Sequence, residues 1–258
     1  MFELLEMYWK PFLYFDGYSY SGLVITMWLL IFSVVVGFLL SIPLAVARNS
    51  RYKILSLSVG AFTTIFRGTP LYLQLLICYS GVYSLTFVQD QALLGEFFRD
   101  GMYCTLLTFS LNTGAYMCEM LAGALKNVDA GEIEAAKAFG MNRFKTYLYV
   151  IFPSALKQSI PQYSNEVIIV LHSTTIAFTA TVPDILKVAR DANSATYMTF
   201  QSFGLAAILY LILSFTLFYF FRKFEFYYTA HLPNNQRTKN LFSAYFSKQK
   251  KKEKEKTI

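Results

Sequence analysis

The chain has 258 residues, 55% of them apolar and 18% aromatic, with a mean hydropathy of +0.40 and a formal net charge of +7. That is too apolar for a soluble globular domain, and composition places the chain in the membrane class. The basic excess is sorted by position along the chain, a membrane-topology pattern, and no nucleic-acid partner is expected.

Residues 1–20 carry Glu3, Glu6 and Asp16 where a cleavable signal would open with basic residues, so this segment is expected to be retained. Its Trp9, Tyr14, Phe15, Tyr18 and Tyr20 suit an aromatic belt at the outer membrane–water boundary. Five apolar windows follow, at roughly 21–47, 55–79, 101–125, 155–178 and 203–222, each near the ~20 residues a bilayer core requires. They predict an all-α membrane protein of five transmembrane helices. Its membrane domain covers 21–225, and a basic cytoplasmic tail covers 226–258. The tail ends in KQKKKEKEKTI, a low-complexity run expected to be disordered.

Eighteen of the 23 basic residues follow span one, lie in or beside the segment between spans three and four, or follow Phe221. Lys10, Arg99, Lys187 and Arg190 fall on the other side, and Arg67 falls inside span two. The positive-inside rule then puts the N-terminus outside and the C-terminus in the cytoplasm, as five spans require.

Within the spans, Gly68 and Pro70 of RGTP predict a break beside Arg67. Glu119, near the cytoplasmic end of span three, is expected to snorkel or pair between helices. Glu166 falls near the middle of span four, where an ionised carboxylate is costly unless paired or hydrated. Pro161 and Asn165 beside it are expected to loosen the helix and turn backbone carbonyls toward a cavity. His172 reads as a helix-contact histidine, and Cys78, Cys104 and Cys118 as core packing. A short helix is expected after Pro183, with Asp184 and Asp191 as caps or docking points.

The sequence holds no G-x-x-x-x-G-K-[ST], no H-E-x-x-H and no G-x-S-x-G, so a nucleotide-binding or catalytic role is not expected, nor a cofactor. The charged stretch EIEAAKAFGMNRFKTYLYVIFP lies between spans three and four, in a segment bounded at 127–153. On a helical wheel Ile133, Ala136, Phe139, Tyr147, Leu148 and Ile151 form an apolar stripe. That pattern fits an interfacial helix on the membrane or a helix seated in a soluble partner equally well.

Glu134, Ala135, Ala136, Gly140 and Pro153 match the E-A-A-x3-G-x9-I-x-L-P signature, with Val150 and Phe152 at the Ile and Leu positions. The stretch therefore resembles the coupling segment of permease subunits of bacterial ATP-binding-cassette importers of type I. FRGTPLYLQL, TGAYMCEMLAGAL and the stretch 163–197 are similar to the polar amino-acid permeases, most of all to M-type permeases for histidine, lysine, arginine and ornithine. The resemblance implies a subunit of the inner membrane without its own ATPase. Its implied partners are a dimer of ATP-binding subunits, a second permease subunit, a periplasmic solute-binding protein and an amino-acid substrate. It further implies that Glu134, Ala135, Ala136, Gly140 and Pro153 form the coupling element that docks on the ATPase. Glu134 is expected early in a short helix, where the dipole favours an anion, and Gly140 at a turn after it.

For the substrate, Glu166 and Asn165 are expected to meet a cationic side chain. Arg67, with the amides of Gly68 and Thr69, is expected to meet an α-carboxylate. The alternative is a secondary transporter or ion channel using Glu166 and Arg67 as pathway residues, which leaves the 127–153 segment without a purpose.

Overall fold

The computed structural model describes residues 2–229. Helix α1 (Phe2–Leu13) precedes α2 (Leu23–Arg48) and α3 (Lys53–Gly68). Next come α4 (Leu71–Leu76), a π-helical turn (Ile77–Val82), α5 (Thr86–Asp90) and α6 (Ala92–Arg99). Helix α7 (Gly101–Lys126) leads to α8 (Ala130–Ala138), α9 (Arg143–Thr146) and a second π turn (Tyr147–Ile151). Helix α10 (Phe152–Ser173), a 3-10 stretch (Thr174–Ala180), α11 (Ile185–Thr196) and α12 (Thr199–Thr229) complete the fold. Among the described residues, Leu23–Arg48 and Thr199–Tyr228 are each long and apolar enough on their own to cross a membrane. The tail predicted over 226–258 begins inside α12, and its remainder lies outside the described residues.

Helices α2 and α7 form the central pair, and small residues explain why. Ser33, Gly37, Ser41 and Ala45 recur every fourth residue on α2, as do Ser110, Gly114, Cys118 and Ala122 on α7, and nearly all are fully buried. A Cβ at Gly37 would come within 2.8 Å of Thr113 Cγ2, so the two backbones meet closely only because that side chain is absent. Apolar side chains gain little by leaving lipid for protein, and such close approach is what holds helices together there.

One end of the bundle carries α8 and α9; the other carries α1, α6 and α11. At the second end Leu4 and Phe12 of α1 are buried against Ile185, Val188, Ala189, Leu205 and Ala206. The 1–20 segment thus joins the core on one side, while Trp9, Tyr14, Tyr18 and Tyr20 stay exposed as an aromatic belt requires. Asp184 caps α11, its carboxylate accepting from the N–H groups of Leu186 and Lys187 at 3.0 Å. The helix expected after Pro183 is present, with Asp184 as its cap.

Span two is broken where RGTP predicted. Thr69 and Pro70 are extended, since Pro70 lacks an N–H and pushes the residue before it out of the helical region. The loosening expected in span four at Pro161 and Asn165 does not occur: α10 runs unbroken through both. Hydroxyls on either side of the proline bond the helix's own carbonyls, Ser159 to Ala155 and Ser164 to Ile160. The irregular turns instead flank α10, as the π turn before it and the 3-10 stretch after it.

Candidate functional site: a charged cavity and a docking face

The break in span two, the middle of α7 and the far half of α10 enclose a cavity of about 380 Å³. Arg67, Gly68 and Thr69 line it from the break, Asn112, Thr113 and Tyr116 from α7, and Glu166, Ile169 and Ser173 from α10. Two opposite charges therefore share one cavity. Among the described residues, neither takes part in the ion pairs Arg48–Glu119 or Lys187–Asp191. Glu166 is 3% exposed, and no protein hydrogen bond reaches its carboxylate. The Arg67 guanidinium lies over the Tyr116 ring at 5.2 Å from its centroid, and the Tyr116 hydroxyl donates to the Arg67 carbonyl at 3.4 Å. The aromatic face holds the cation in place while leaving its N–H donors largely uncommitted.

Three expectations for this site need correction. Thr69 offers no free amide, because its N–H donates to Ile65 O at 3.1 Å. Its hydroxyl is also engaged, donating to Ile65 O and accepting from Gln74 Nε2, both at 2.8 Å. Gly68 is the last residue of α3, so its N–H faces back along the helix, and it contributes open space rather than a donor. Asn165 is exposed and outside the cavity lining, being about 100° around the helix from Glu166.

Residues not singled out from the sequence close the break. Gln74 Nε2 donates to the carbonyls of Phe66 and Thr69 at 2.8 and 3.0 Å, and Asn112 Nδ2 donates to Phe66 O at 2.9 Å. These amides satisfy carbonyls that the proline strands inside the bundle. A glutamine and an asparagine inside apolar runs were the available signal.

At the other end of the bundle, the 127–153 segment is two short helices at an angle rather than one striped helix. Asp129 and Asn142 cap them, accepting from Gly131 N at 2.7 Å and Lys145 N at 2.8 Å. Gly140 turns the chain between them with φ of 72°, the left-handed conformation that glycine tolerates best. The turn splits the expected stripe. Ile133 and Ile151 pack inward beside Val59, Val128 and Ala155 and Ala136 is buried, while Phe139 and Phe144 are 88% and 74% exposed. Glu134 and Ala135 are exposed on α8. Ala136 is buried in its own chain, so it supports the face from behind instead of meeting a partner. Glu134 is the fifth residue of α8, and the first-turn anion is Glu132 instead. Pro153 is half-buried where the π turn Tyr147–Ile151 passes into α10, and its missing N–H removes one helical hydrogen bond at that junction.

His172 Nε2 meets Ser214 Oγ of α12 at 3.0 Å, a helix contact as expected.

Residues 33–224 match the family described as binding-protein-dependent transport system inner membrane component. The histidine/lysine/arginine/ornithine transport system permease protein HisM of Escherichia coli (strain K12) is 53% identical over 232 residues, 90% of this chain and 98% of that protein. The octopine transport system permease protein OccM of Rhizobium radiobacter is 38% identical over 218 residues, 84% of this chain and 89% of that protein. A chain from a crystal structure of an amino acid ABC transporter with histidines superposes with a TM-score of 0.70 at 27% identity, covering 79% of this chain and 91% of its own. The inward-facing MetNI methionine ABC transporter shares the fold with a TM-score of 0.61 at 18% identity, covering 89% of this chain and 98% of that one. The all-helical architecture is that of a type I importer permease. By sequence and by fold, the chain belongs to the family of binding-protein-dependent transport system inner membrane components.

Proposed function

We propose that the chain is the permease subunit of an ATP-driven importer of basic amino acids, with the Arg67–Glu166 cavity as its substrate site. The observation that carries this reading is the pair of opposite charges, not paired with each other, on one cavity of about 380 Å³. A buried carboxylate without a partner is costly in a membrane, and a cationic side chain would neutralise it. Arg67, held over Tyr116, would take the α-carboxylate of the same substrate. The names of the relatives, transporters of basic amino acids and of octopine, agree with a cationic substrate.

The exposed face around Gly140 would dock on a dimer of ATP-binding subunits, with Glu134, Ala135, Phe139 and Phe144 as contacts. Helical structure continues without interruption from Arg143 to Ala180, through α9, the π turn, α10 and the 3-10 stretch. A displacement of the docking face would therefore move Glu166, and with it one wall of the cavity. This gives ATP hydrolysis in a partner a mechanical route to alternating access. A bare channel or secondary transporter would have no use for that face.

In this reading five spans cross the membrane: α2, the broken α3–α4 unit, α7, α10 and α12. The N-terminus is periplasmic and the C-terminus cytoplasmic, as the basic residues are sorted. A second, homologous permease subunit and a periplasmic solute-binding protein complete the assembly. Reconstitution into liposomes with the partner subunits and binding protein tests the proposal: arginine or lysine should accumulate only with ATP, and ATP-independent accumulation would overturn it.

A further inference from the structure

We propose that Cys78 and Cys104 form a disulfide-competent pair able to tie the second half of the broken helix to α7. The two chains run antiparallel here, and their facing residues form a ladder. On Leu71–Val82, Gln74 and Cys78 are one turn apart; on α7 they meet Asn112, then Thr108 and Cys104. Gln74 Oε1 accepts from Asn112 Nδ2 at 3.2 Å. One turn further on, Cys78 and Cys104 are neighbours across the same interface, with Cys104 Sγ 4.0 Å from the Cys78 carbonyl oxygen. Cys78 sits in the π turn Ile77–Val82, an irregularity often found at functional positions. Cys118 differs: it packs among Ala45, Val59 and Leu121.

The pair lies near the end of the bundle that carries α6. Cys104 is one turn into α7 after its Asp100 cap, and its sulfur is 3.5 Å from Phe98 O. In the orientation proposed above this is the outer side, where disulfides persist. That compartment rests on the proposed orientation; the contact between the two residues does not.

Closure would be thiol–disulfide exchange with a disulfide donor such as oxidised glutathione or a protein disulfide oxidant. The half-buried Cys78, as thiolate, attacks one donor sulfur and releases the first donor thiol. Cys104 then gives up its proton and displaces the second. One S–S bond breaks in the donor and one forms in the chain, and the two hydrogens lost by the cysteines leave on two donor thiols. The new bond would fix Leu71–Val82, whose first residue lines the cavity, against α7, which forms one of its walls.

The test maps thiols in the full-length chain. Right-side-out membrane vesicles are treated with oxidised glutathione, and detergent-solubilised protein with diamide. Both are then denatured, alkylated and analysed by peptide mass spectrometry. The expected result in both arms is a cross-linked peptide pair containing Cys78 and Cys104, two hydrogens lighter than the thiols. Dithiothreitol should reverse it, Cys78→Ser and Cys104→Ser should lack it, and Cys118 should be alkylated throughout. A cross-link in detergent alone supports the pair but overturns its placement on the outer side. Alkylated Cys78 and Cys104 in both arms overturn the proposal, whatever the chain transports.

Discussion

Arg48 at the end of α2 and Glu119 on α7 are joined at 2.9 Å, and Thr63 of α3 donates to the same carboxylate oxygen at 2.6 Å. Arg48 also reaches Ser56, whose hydroxyl donates back to the Arg48 carbonyl at 2.7 Å. One carboxylate thus gathers three helices at the end of the bundle that bears α8 and α9.

Removing that acceptor takes the carboxylate from the Arg48 guanidinium and the Thr63 hydroxyl together, leaving Arg48 only Ser56 and Thr63 only the Gly60 carbonyl. Glu119→Ala should lower stability by on the order of 1–3 kcal/mol, toward the lower figure because the pair is partly exposed. Glu119→Gln, which still accepts from Thr63, should lose less. Thermal unfolding of the purified variants in detergent checks the ranking; equal melting temperatures for parent and Glu119→Ala would remove the knot from the account.

Gly140 is the residue on which the proposed docking face turns. Gly140→Val forces a β-branched side chain into a left-handed conformation, at about 1–2 kcal/mol of local strain. Nothing crowds a Cβ there, so the cost lies in the backbone alone. ATP-driven uptake and co-purification of the ATPase should fall sharply while membrane insertion persists. Gly140→Asn, which tolerates the conformation better, should retain most of both.

Asp184 supplies a pH dependence. Burial pushes its carboxyl from 3.8 up to about 6, against the opposing pull of the Leu186 and Lys187 N–H groups and the Tyr210 hydroxyl at 3.1 Å. A folded-state value above the unfolded one means that the folded chain holds this proton more tightly. The resulting stabilisation is complete below about pH 4 and is lost as pH rises through 6. The difference across that window is on the order of 2–3 kcal/mol. Asp184→Asn should flatten the corresponding part of a plot of melting temperature against pH, and an unchanged plot would contradict the assignment.

Asn112 and Gln74 should be needed for the shape of the cavity rather than for the charges in it. Asn112→Leu deprives the Phe66 carbonyl of one donor and Gln74 of its partner, at about 1–3 kcal/mol. The apparent KM should rise for every substrate alike, a pattern that uptake of arginine and of a neutral amino acid can resolve.

The features legible in the sequence were those set by local chemistry. Pro70 and Gly68 marked the break, Gly140 the turn, and Asp184 the cap after Pro183. What periodicity could not give was the inward side of each helix. In a membrane the lipid-facing and protein-facing sides are both apolar, so Asn165 and Glu166 looked equivalent although only Glu166 lines the cavity. Pro161 misled for a related reason: a proline costs one hydrogen bond, and a long packed helix with hydroxyl back-bonds carries that loss. The four-residue spacing of Ser33, Gly37, Ser41 and Ala45 was visible, and it marks the close contact of α2 with α7. Ala136 matched the signature, but only the structure turns it inward.

The most direct test of the account is uptake by Glu166→Gln. That substitution keeps the shape and hydrogen-bonding capacity of the side chain and removes its charge. In liposomes containing the full importer, uptake is measured for one cationic and one neutral amino acid, each normalised to protein in the membrane. Loss of a charge-assisted contact of about 1–3 kcal/mol should reduce arginine or lysine uptake roughly 5- to 150-fold. Uptake of the neutral substrate should fall much less. Equal losses for both substrates would contradict Glu166 as the counter-charge of a cationic substrate.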